Sequence, residues 1–258
     1  MDVQFPESTL FHLSQTHLNL LETCPPQFQR IYLDQLTSPI SPEQQEKLNW
    51  GNQFHRLMQQ QQLNLPIAFL LAEDKQLQQA IAQLIQIIPN QEKSGQNIWQ
   101  EAEYCRTLKL ESYLLTVIYD LLVIEGDFAQ ILDWKTYPQP ENSEKLANNW
   151  QTRLYLYVLA ETSDFLPEQI SLTYWFMKVP RVPQSLTFNY SEKQHQKNKE
   201  DLIELLSLLD RWRSNYLSNQ KNSCPHFPDC KENCSYYSSS SNTTNWQQIV
   251  NEIPEIPI

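Results

Sequence analysis

The chain has 258 residues, a formal net charge of −11 and 40% hydrophobic residues. This length suits one domain, or one domain with elaborations, and it is enough to bury a full core. The negative charge argues against a broadly basic nucleic-acid-binding surface, although it leaves room for a local basic groove. No run of about 18 apolar residues occurs, and the N-terminus lacks the parts of a signal peptide. We therefore expect a cytoplasmic protein with no membrane partner.

The first half of the chain is predicted to be mainly helical after an irregular lead-in over residues 1–13. Ser14 is a suitable N-cap for a helix with apolar residues at helical spacing. The helix should break at Pro25-Pro26 and then resume. Residues 74–88 place apolar side chains on one helical face and predict an amphipathic core helix.

Between these helices, Ser41-Pro42-Glu43 is a strong signal for the start of another helix. That helix carries Gly51 and His55. A glycine inside a helix has a cost, and close approach of the helix to a sheet is the usual reason to accept it. A lone histidine beside Phe54 and Leu57 is more often half-buried and satisfied than a ligand, so the residues alone leave the role of His55 open.

Residues 99–110 predict the first strand of a sheet. Glu101 and Glu103 should share one face of this strand, because side chains alternate with period two. They mark either support for a functional site or a solvent-facing strand edge. Cys105 would lie on the same face and is predicted to pack in the core.

The centre of the chain predicts a β-hairpin with a carboxylate on each strand. Asp120 lies within an apolar run, Gly126-Asp127 supplies the turn, and Asp133 and Lys135 follow on one face of the second strand. Acids are depleted from strand interiors and costly to bury unpaired. One interpretation is an Asp–Lys pair that closes the hairpin. The other is a site where two carboxylates and an ammonium converge, which suits Mg²⁺ or Mn²⁺.

The C-terminal half predicts a helix that starts at Ser143, strands over 170–179 and 185–190, and a long helix over 192–217. On the first of these helices, Gln151 and Tyr155 are four residues apart and therefore share a face.

These elements resemble the PD-(D/E)XK nuclease superfamily, and within it the RecB-like branch that includes CRISPR-associated exonucleases. The carriers of the resemblance are Gly-x-x-Phe-His, an Asp on one strand, Asp-Trp-Lys-Thr on the next, and Gln-x-x-x-Tyr, in the family's order. The implied fold is α/β: a restriction-endonuclease-like core with a central mixed β-sheet flanked by helices, a helical N-terminal part and a Cys-containing C-terminal tail. The implied nuclease domain covers residues 13–235, and residues 236–258 form a low-complexity tail.

The resemblance implies a Mg²⁺- or Mn²⁺-dependent DNA nuclease, with exonuclease action on ends or single strands preferred. The implied partners are DNA and proteins of DNA repair, recombination or CRISPR adaptation. The alternative is a catalytically weak DNA-end or partner-binding module of such an assembly. The implied catalytic residues are Asp120, Asp133 and Lys135; the metal ligands are His55, Asp120, Asp133 and the backbone carbonyl of Trp134; and the supporting or DNA-positioning residues are Glu103, Gln151 and Tyr155.

The cysteines suggest a second metal site. In relatives, a cysteine placed like Cys24 is often the first ligand of an iron–sulfur cluster. Cys224, Cys230 and Cys234 would complete four ligands for a [4Fe–4S] cluster. Their spacing differs from the common family pattern, so a zinc site involving His226, or a simple buried thiol at Cys24, stays open.

Overall fold

A computed structural model of the chain describes residues 10–36, 41–71, 74–88, 98–136, 142–177, 183–218 and 224–225. The chain divides into two compact units. We call the first, Met1–Asn19 with Pro39–Glu204, the sheet unit, and the second, Leu20–Ser38 with Leu205–Ile258, the helical unit. The single domain over 13–235 stays a prediction, and the tail over 236–258 lies outside the described residues.

The sheet unit is built on a mixed sheet of six strands. The strands are β1 Phe11–Leu13, β2 Ile98–Leu110, β3 Tyr113–Glu125, β4 Phe128–Lys135, β5 Ile170–Phe176 and β6 Gln184–Asn189. β3 pairs with antiparallel β2 along one edge, and along its other edge first with parallel β1 and then with antiparallel β4. β4 continues to parallel β5, and β5 to antiparallel β6. The α/β fold with a mixed sheet is confirmed.

The central hairpin of β3 and β4 forms as predicted. Its last cross-strand pair is Glu125 with Phe128. Gly126 in the turn has φ of 58°, in the left-handed region that glycine enters at little cost. Asp120 and Asp133 therefore lie at the end of the hairpin that is remote from its turn.

The described helices are divided between the two units. They are α1 Gln15–Thr23, α2 Pro25–Phe28, α3 Pro42–Gln62, α4 Ala68–Leu71, α5 Lys75–Ile87, α6 Ser143–Asn148, α7 Trp150–Glu161 and α8 Glu192–Leu217. Leu57 of α3 and Leu84 of α5 belong to one core with Leu121, Leu132 and Trp134. Side chains that alternate with these on β4 point to α7 on the opposite face. Among the described residues, no helix is long and apolar enough to cross a membrane.

Local signals explain most helix boundaries. The side chain of Ser41 accepts a hydrogen bond from Gln44 N, and the Gln44 side chain returns one to Ser41 N, which forms the capping box at the start of α3. The long helix predicted over 192–217 is confirmed as α8. The single helix predicted from Ser143 is wrong, because Asn149 is extended, with ψ of 139°, and its side chain caps α7 as a separate helix.

The irregular lead-in predicted over residues 1–13 is also corrected, since Phe11–Leu13 pair with the start of β3 as β1. A three-residue parallel strand has no periodicity that its own sequence could show. Residues 1–9 lie outside the described residues.

A network of polar side chains joins α7 to the first half of α8 within the sheet unit. The Arg153 guanidinium donates from Nε to Asn198 Oδ1 at 2.9 Å, and its Nη2 pairs with Asp201 Oδ2. Nearer the end of α7, His195 Nε2 lies 2.8 Å from Glu161 Oε1. We call this set the α7–α8 network. Each carboxylate in it faces at least one cationic or titratable nitrogen.

The described part of the helical unit brings two cysteine-bearing segments together. Cys224 N donates to the side chain of Gln29, which follows α2 in a π-helical turn, at 3.3 Å. Tyr216 near the end of α8 donates to the Leu33 carbonyl at 3.3 Å. Cys24 and Cys224 are both buried.

Candidate active site

The sheet contains a fork where β3 and β4 separate. Their pairing ends at Leu121 with Leu132, whereas β4 continues to pair with β5 as far as Lys135 with Phe176. Asp120 is the first residue of β3 on the open side of this fork. A strand that loses its neighbour exposes polar backbone groups, and these need other partners.

The side chain of Asp120 supplies one such partner. Its Oδ2 accepts a hydrogen bond of 2.6 Å from the backbone N–H of Trp134. A charge-assisted hydrogen bond of this kind is short and strong. It holds the Asp120 carboxylate across the fork, with only 12% of the side chain exposed.

His55 reaches the same carboxylate from α3. Its Nδ1 lies 3.1 Å from Asp120 Oδ1. One turn earlier, a Cβ added at Gly51 would lie 3.1 Å from Thr136 Oγ1, just beyond the end of β4. The absence of that atom lets α3 lie close to the strand end, as predicted for this glycine. The close approach is what brings His55 to the fork.

Glu103 faces Asp120 across β2 and β3, at a point where the ladder is interrupted. Its φ of 52° lies in the left-handed region, which is uncommon for a residue other than glycine. Such backbone strain costs about 1 to 3 kcal/mol and gathers at functional sites. The left-handed conformation of Glu103 therefore lowers stability locally, and the surrounding structure holds it in place.

The strain changes which face of the sheet each side chain occupies. Ala102 packs against the core formed with α3 and α5. Two residues later, Tyr104 pairs with Tyr119, whose hydroxyl donates to the Tyr155 carbonyl of α7 at 3.1 Å. Strict alternation would place residues 102 and 104 on one face. The switch at Glu103 corrects the prediction for Cys105, which is exposed rather than part of the core.

These three elements bring His55, Glu103 and Asp120 together. One ligand atom from each lies within 4.8 Å of the other two, and all three residues are partly buried. We call this set the carboxylate cluster. One imidazole and two hard carboxylate oxygens are donors that Mn²⁺ accepts, and the oxygens suit Mg²⁺.

On the α7 side of the fork, Asp133, Lys135 and Gln151 form a closed triangle. Lys135 Nζ lies 2.7 Å from Asp133 Oδ1 and donates to Gln151 Oε1 at 2.6 Å. The triangle closes because Gln151 Nε2 donates to Asp133 Oδ2 at 2.7 Å. Period-two spacing places the two β4 residues on one face, as predicted, and Gln151 fixes both.

Tyr174 supports the triangle from β5, where it pairs directly with Asp133. The Lys135 ammonium lies 4.7 Å from the centre of its ring. The ring itself is fixed at its far end, since the Tyr174 hydroxyl lies 2.8 Å from Thr152 Oγ1. Sequence reasoning missed Tyr174, because a fully buried aromatic residue in a strand looks like ordinary core packing.

Tyr155 lies one turn beyond Gln151 on α7. Its ring packs edge-to-face on Tyr119 with centroids 5.2 Å apart, and its hydroxyl accepts from Gln15 Nε2 at 3.5 Å. Burial raises the pKa of Tyr155 well above its ordinary value, and the nearby Asp133 and Asp120 carboxylates add to the rise. The hydroxyl therefore stays protonated and able to donate.

The site shifts the titration of its own groups. Burial raises the pKa of Asp133 to about 6 against the opposing effect of the Lys135 ammonium. Burial and the Asp120 charge raise the pKa of Glu103. Burial alone would lower the pKa of His55, but the hydrogen bond to Asp120 and the surrounding carboxylates leave it above its ordinary value. Burial is thus the main cause of the shifts at Asp133 and Glu103, whereas the neighbouring carboxylates cause the rise at His55.

The structure brings six of the predicted site residues to the fork in two sets: His55, Glu103 and Asp120 form the carboxylate cluster, and Asp133, Lys135 and Gln151 form the triangle. Asp133, predicted as a metal ligand with His55 and Asp120, is not a member of the carboxylate cluster, where Glu103 is the third residue. Glu101 is exposed. The predicted ligand role of the Trp134 carbonyl stays a prediction; the contact described for that peptide is through its N–H. Of the four predicted cysteine ligands, Cys230 and Cys234 lie outside the described residues.

A mixed sheet with an Asp…Asp-x-Lys arrangement at the end of its central hairpin is the combination that the PD-(D/E)XK resemblance implies. A family model of the PD-(D/E)XK nuclease superfamily matches residues 12–239, and the chain belongs to that superfamily.

Two solved structures are similar to the chain. A candidate exonuclease from Eubacterium rectale has a TM-score of 0.50 at 11% identity, with 96% of this chain and 90% of that chain covered. SSO0001 has a TM-score of 0.36 at 14% identity, with 75% and 76% covered. The first likeness shows a shared fold. No curated protein matches the chain.

Proposed function

We propose that this protein is a Mg²⁺- or Mn²⁺-dependent deoxyribonuclease. The observation that carries the proposal is the charge at the fork. Glu103, Asp120 and Asp133 lie there, and among the described residues the cationic or titratable groups that oppose them are Lys135 and His55. Carboxylates that are partly desolvated and close together are stabilised by protonation or by a compensating cation. A divalent metal supplies one.

The carboxylate cluster would hold the metal through His55, Glu103 and Asp120, since its donor atoms already lie within 4.8 Å of one another. Asp133 and the Trp134 carbonyl are the further ligands that the family resemblance implies. When bound, such a metal polarises a phosphate oxygen and lowers the pKa of a coordinated water.

Lys135 is the residue best placed to act on the reacting groups. Its ammonium is 14% exposed at the side chain and is held by Asp133 and Gln151. A fixed positive charge in a partly dry site stabilises negative charge that develops on the phosphate oxygens in the transition state. Gln151 maintains the geometry of Asp133 and Lys135, and the protonated Tyr155 would help to align the nucleic-acid strand.

We further propose DNA ends or single strands as the substrate and exonuclease action as the mode. The support is the RecB-like form of the motifs, in particular Asp133-Trp134-Lys135-Thr136 and the Gln151–Tyr155 pair. The structural relative from Eubacterium rectale, described as an exonuclease, points the same way. The pathway proposed is DNA repair, recombination or CRISPR adaptation, with proteins of such an assembly as partners.

The test is cleavage of end-labelled single-stranded and blunt duplex DNA in Mg²⁺, Mn²⁺ and EDTA. We expect progressive shortening from an end in either metal, none in EDTA, and none with Asp120→Asn. Wild-type protein that binds ends but cuts under neither metal would instead favour the end-binding module. Cleavage that survives EDTA, or that Asp120→Asn leaves unchanged, would contradict the proposal.

The cysteine site is a separate proposal. Cys24 and Cys224 are buried within one unit, and a hydrogen bond from Cys224 N to the Gln29 side chain joins the segments that carry them. If they hold a [4Fe–4S] cluster with Cys230 and Cys234, protein purified without oxygen should be brown. Colourless protein with one bound zinc would favour the zinc alternative. Protein that is stable without metal would favour simple burial of the thiols. Cys105→Ser is the control and should leave any cluster intact.

A further inference from the structure

One face of the sheet is exposed immediately beside the carboxylate cluster. It is formed by one half of β2 and the facing half of β3. We call it the open face, and its six side chains are Cys105, Thr107, Lys109, Leu114, Thr116 and Ile118. All six are exposed or half-buried.

The register shows that these residues share a face. Cys105 pairs with Ile118, Thr107 with Thr116, and Lys109 with Leu114. The residues that alternate with them on β3 are the buried ones, such as Val117 at 1% exposure, whereas Ile118 is 46% exposed. A branched apolar side chain this exposed in the middle of a long strand stands out against its buried neighbours.

The open face is continuous with the candidate active site. Ile118 precedes Asp120 by two residues, and Cys105 follows Glu103 by two, so the face begins where the carboxylate cluster ends. From Asp120 to Leu114 the strand extends about 20 Å at about 3.3 Å per residue. A polymer whose phosphate sits at the cluster could therefore continue along this face.

The charge of the open face distinguishes it from much of the chain. None of its six residues is acidic, and Lys109 is basic, in a chain with a net charge of −11. His12 of β1, paired with Leu114, adds a further exposed polar ring at its margin. By contrast, the cavity of about 430 Å³ at the turn end of the hairpin is lined by Glu125 and Glu168. A polyanion would be repelled there and tolerated on the open face.

We propose that the open face is the floor on which single-stranded DNA lies as it enters the fork. This inference rests on the nuclease function proposed above and adds where the strand binds and in what form. A duplex carries about one charge per 1.7 Å of axis, far more than Lys109 could offset. A single strand carries about one charge per 3.4 Å, which is half the charge density of the duplex. Its unpaired bases can contact Ile118, Leu114 and the threonine methyl groups, while Lys109 faces its phosphates.

The inference can be tested by placing a negative charge on the open face. The variants are Ile118→Glu and Thr107→Glu, each at an exposed side chain where folding should tolerate the change. The matched controls are Phe128→Glu, an exposed apolar strand residue at 64%, and Ser185→Glu on the exposed part of β6. The probe is a fluorescently labelled oligo(dT) of about 20 nucleotides, bound in Ca²⁺ and compared with a blunt duplex of equal length.

We expect Ile118→Glu and Thr107→Glu each to raise the Kd for oligo(dT) by about tenfold or more, because each added carboxylate repels the phosphates of a strand that lies on the open face. Melting temperature and Mn²⁺ affinity should match wild type, the two controls should bind as wild type does, and Ile118→Lys should bind more tightly. The duplex should bind more weakly than oligo(dT).

Other outcomes overturn the inference in recognisable ways. If both open-face variants bind oligo(dT) like wild type while wild type still cuts DNA, the inference fails and the nuclease function stands. If all four Glu variants lose affinity equally, the effect is net charge and the open face is not the site. If the duplex binds more tightly than oligo(dT) and loses affinity in the same two open-face variants, the claim that the open face binds single-stranded DNA is wrong. If wild type binds oligo(dT) through this face but never cuts, the inference stands and the nuclease function fails.

Discussion

The sheet unit holds two clusters of charged side chains that differ in how their charges balance. In the α7–α8 network, Arg153 and Lys197 both contact Asp201, and His195 contacts Glu161. Every carboxylate there has a nitrogen partner within the chain. A balanced network of this kind needs no ligand, and it holds two helices together.

The fork differs because its negative charges outnumber their partners. In the part of the chain that the structure describes, Glu103, Asp120 and Asp133 face two such partners, His55 and Lys135, and the backbone at Glu103 is strained as well. Excess charge and strain both lower stability, so their persistence points to a use. Charge balance, rather than the presence of buried charge, therefore separates a structural cluster from a candidate active site in this protein.

The largest expected effect that would separate the two clusters comes from Lys135→Ala. Cleavage should fall by about 10² or more, because one fixed charge at the transition state is lost. DNA affinity in Ca²⁺ should change little, since one phosphate contact among several is a modest loss. Single-turnover rates and equilibrium binding measure the two quantities, with exposed Lys145→Ala as control. Joint loss of melting temperature, binding and cleavage would show that Lys135 only holds the hairpin.

Tyr174 offers a smaller effect on the same side of the fork. Tyr174→Leu removes the ring beneath the Lys135 ammonium and should lower the single-turnover rate by about tenfold, the loss expected for a buried cation–π contact. Tyr174→Phe keeps the ring and should cleave at nearly the wild-type rate. It should lose about 1 kcal/mol of stability with the Thr152 hydrogen bond. Equal cleavage rates for the two variants would show that the Tyr174 ring does not position Lys135. Mn²⁺ affinity should be unchanged in both.

The sign of a stability change provides the sharpest contrast between the clusters. Asp201→Asn should destabilise the protein by about 1 to 2 kcal/mol, because it weakens the ion pairs that residue 201 makes with Arg153 and Lys197. Glu103→Gln, an equally small change, should stabilise metal-free protein by about 1 kcal/mol, since it relieves repulsion with Asp120. Chemical denaturation in EDTA measures both. Destabilisation by Glu103→Gln would mean that the fork is balanced without a metal.

The pKa shifts at the fork predict the direction of its pH dependence. Asp133, with a pKa of about 6, and Glu103 bind protons more tightly in the folded state, so their cost is present at high pH and relieved as pH falls. The raised pKa of His55 acts in the same direction, since its stabilisation is lost as pH rises through the folded value. Metal-free protein should therefore gain stability between about pH 7 and pH 5.

The measurement is the free energy of unfolding in EDTA across that range, for wild type and for Asp133→Asn. The variant should show a shallower gain. Protons compete with metal for the same ligands, so the increase in melting temperature caused by Mn²⁺ should shrink as pH falls. A Mn²⁺ effect that grows toward pH 5 would contradict this account.

Much of the architecture was predictable because its signals are local. The capping box at Ser41, the turn at Gly126 and the period-two spacing of Asp133 and Lys135 each follow from a few adjacent residues. The face of Cys105 was predicted wrongly for a specific reason. The prediction assumed unbroken alternation along β2, and the left-handed backbone at Glu103 breaks it.

Other features depend on contacts between distant parts of the chain. β1 exists only through its pairing with Tyr113–Leu115, about 100 residues away in sequence. The sequence favoured Glu103 over Glu101 by its distance to Asp120, and the register of β2 on β3 places Glu103 opposite that residue. The position of the Tyr174 ring beside Lys135 depends on its strand partner Asp133 and on Thr152 of α7. The residues next to Tyr174 in sequence indicate neither contact.

The central claim is that the unbalanced carboxylates at the fork bind a divalent metal, and calorimetric titration with Mn²⁺ tests it most directly. Wild type should bind saturably, and Asp120→Asn should lose about tenfold or more in affinity because its carboxylate faces both His55 and Glu103. Glu125→Gln, a carboxylate on the same strand but at the turn end, should bind as wild type does. Undetectable binding by wild type, or equal affinity for wild type and Asp120→Asn, would contradict the account.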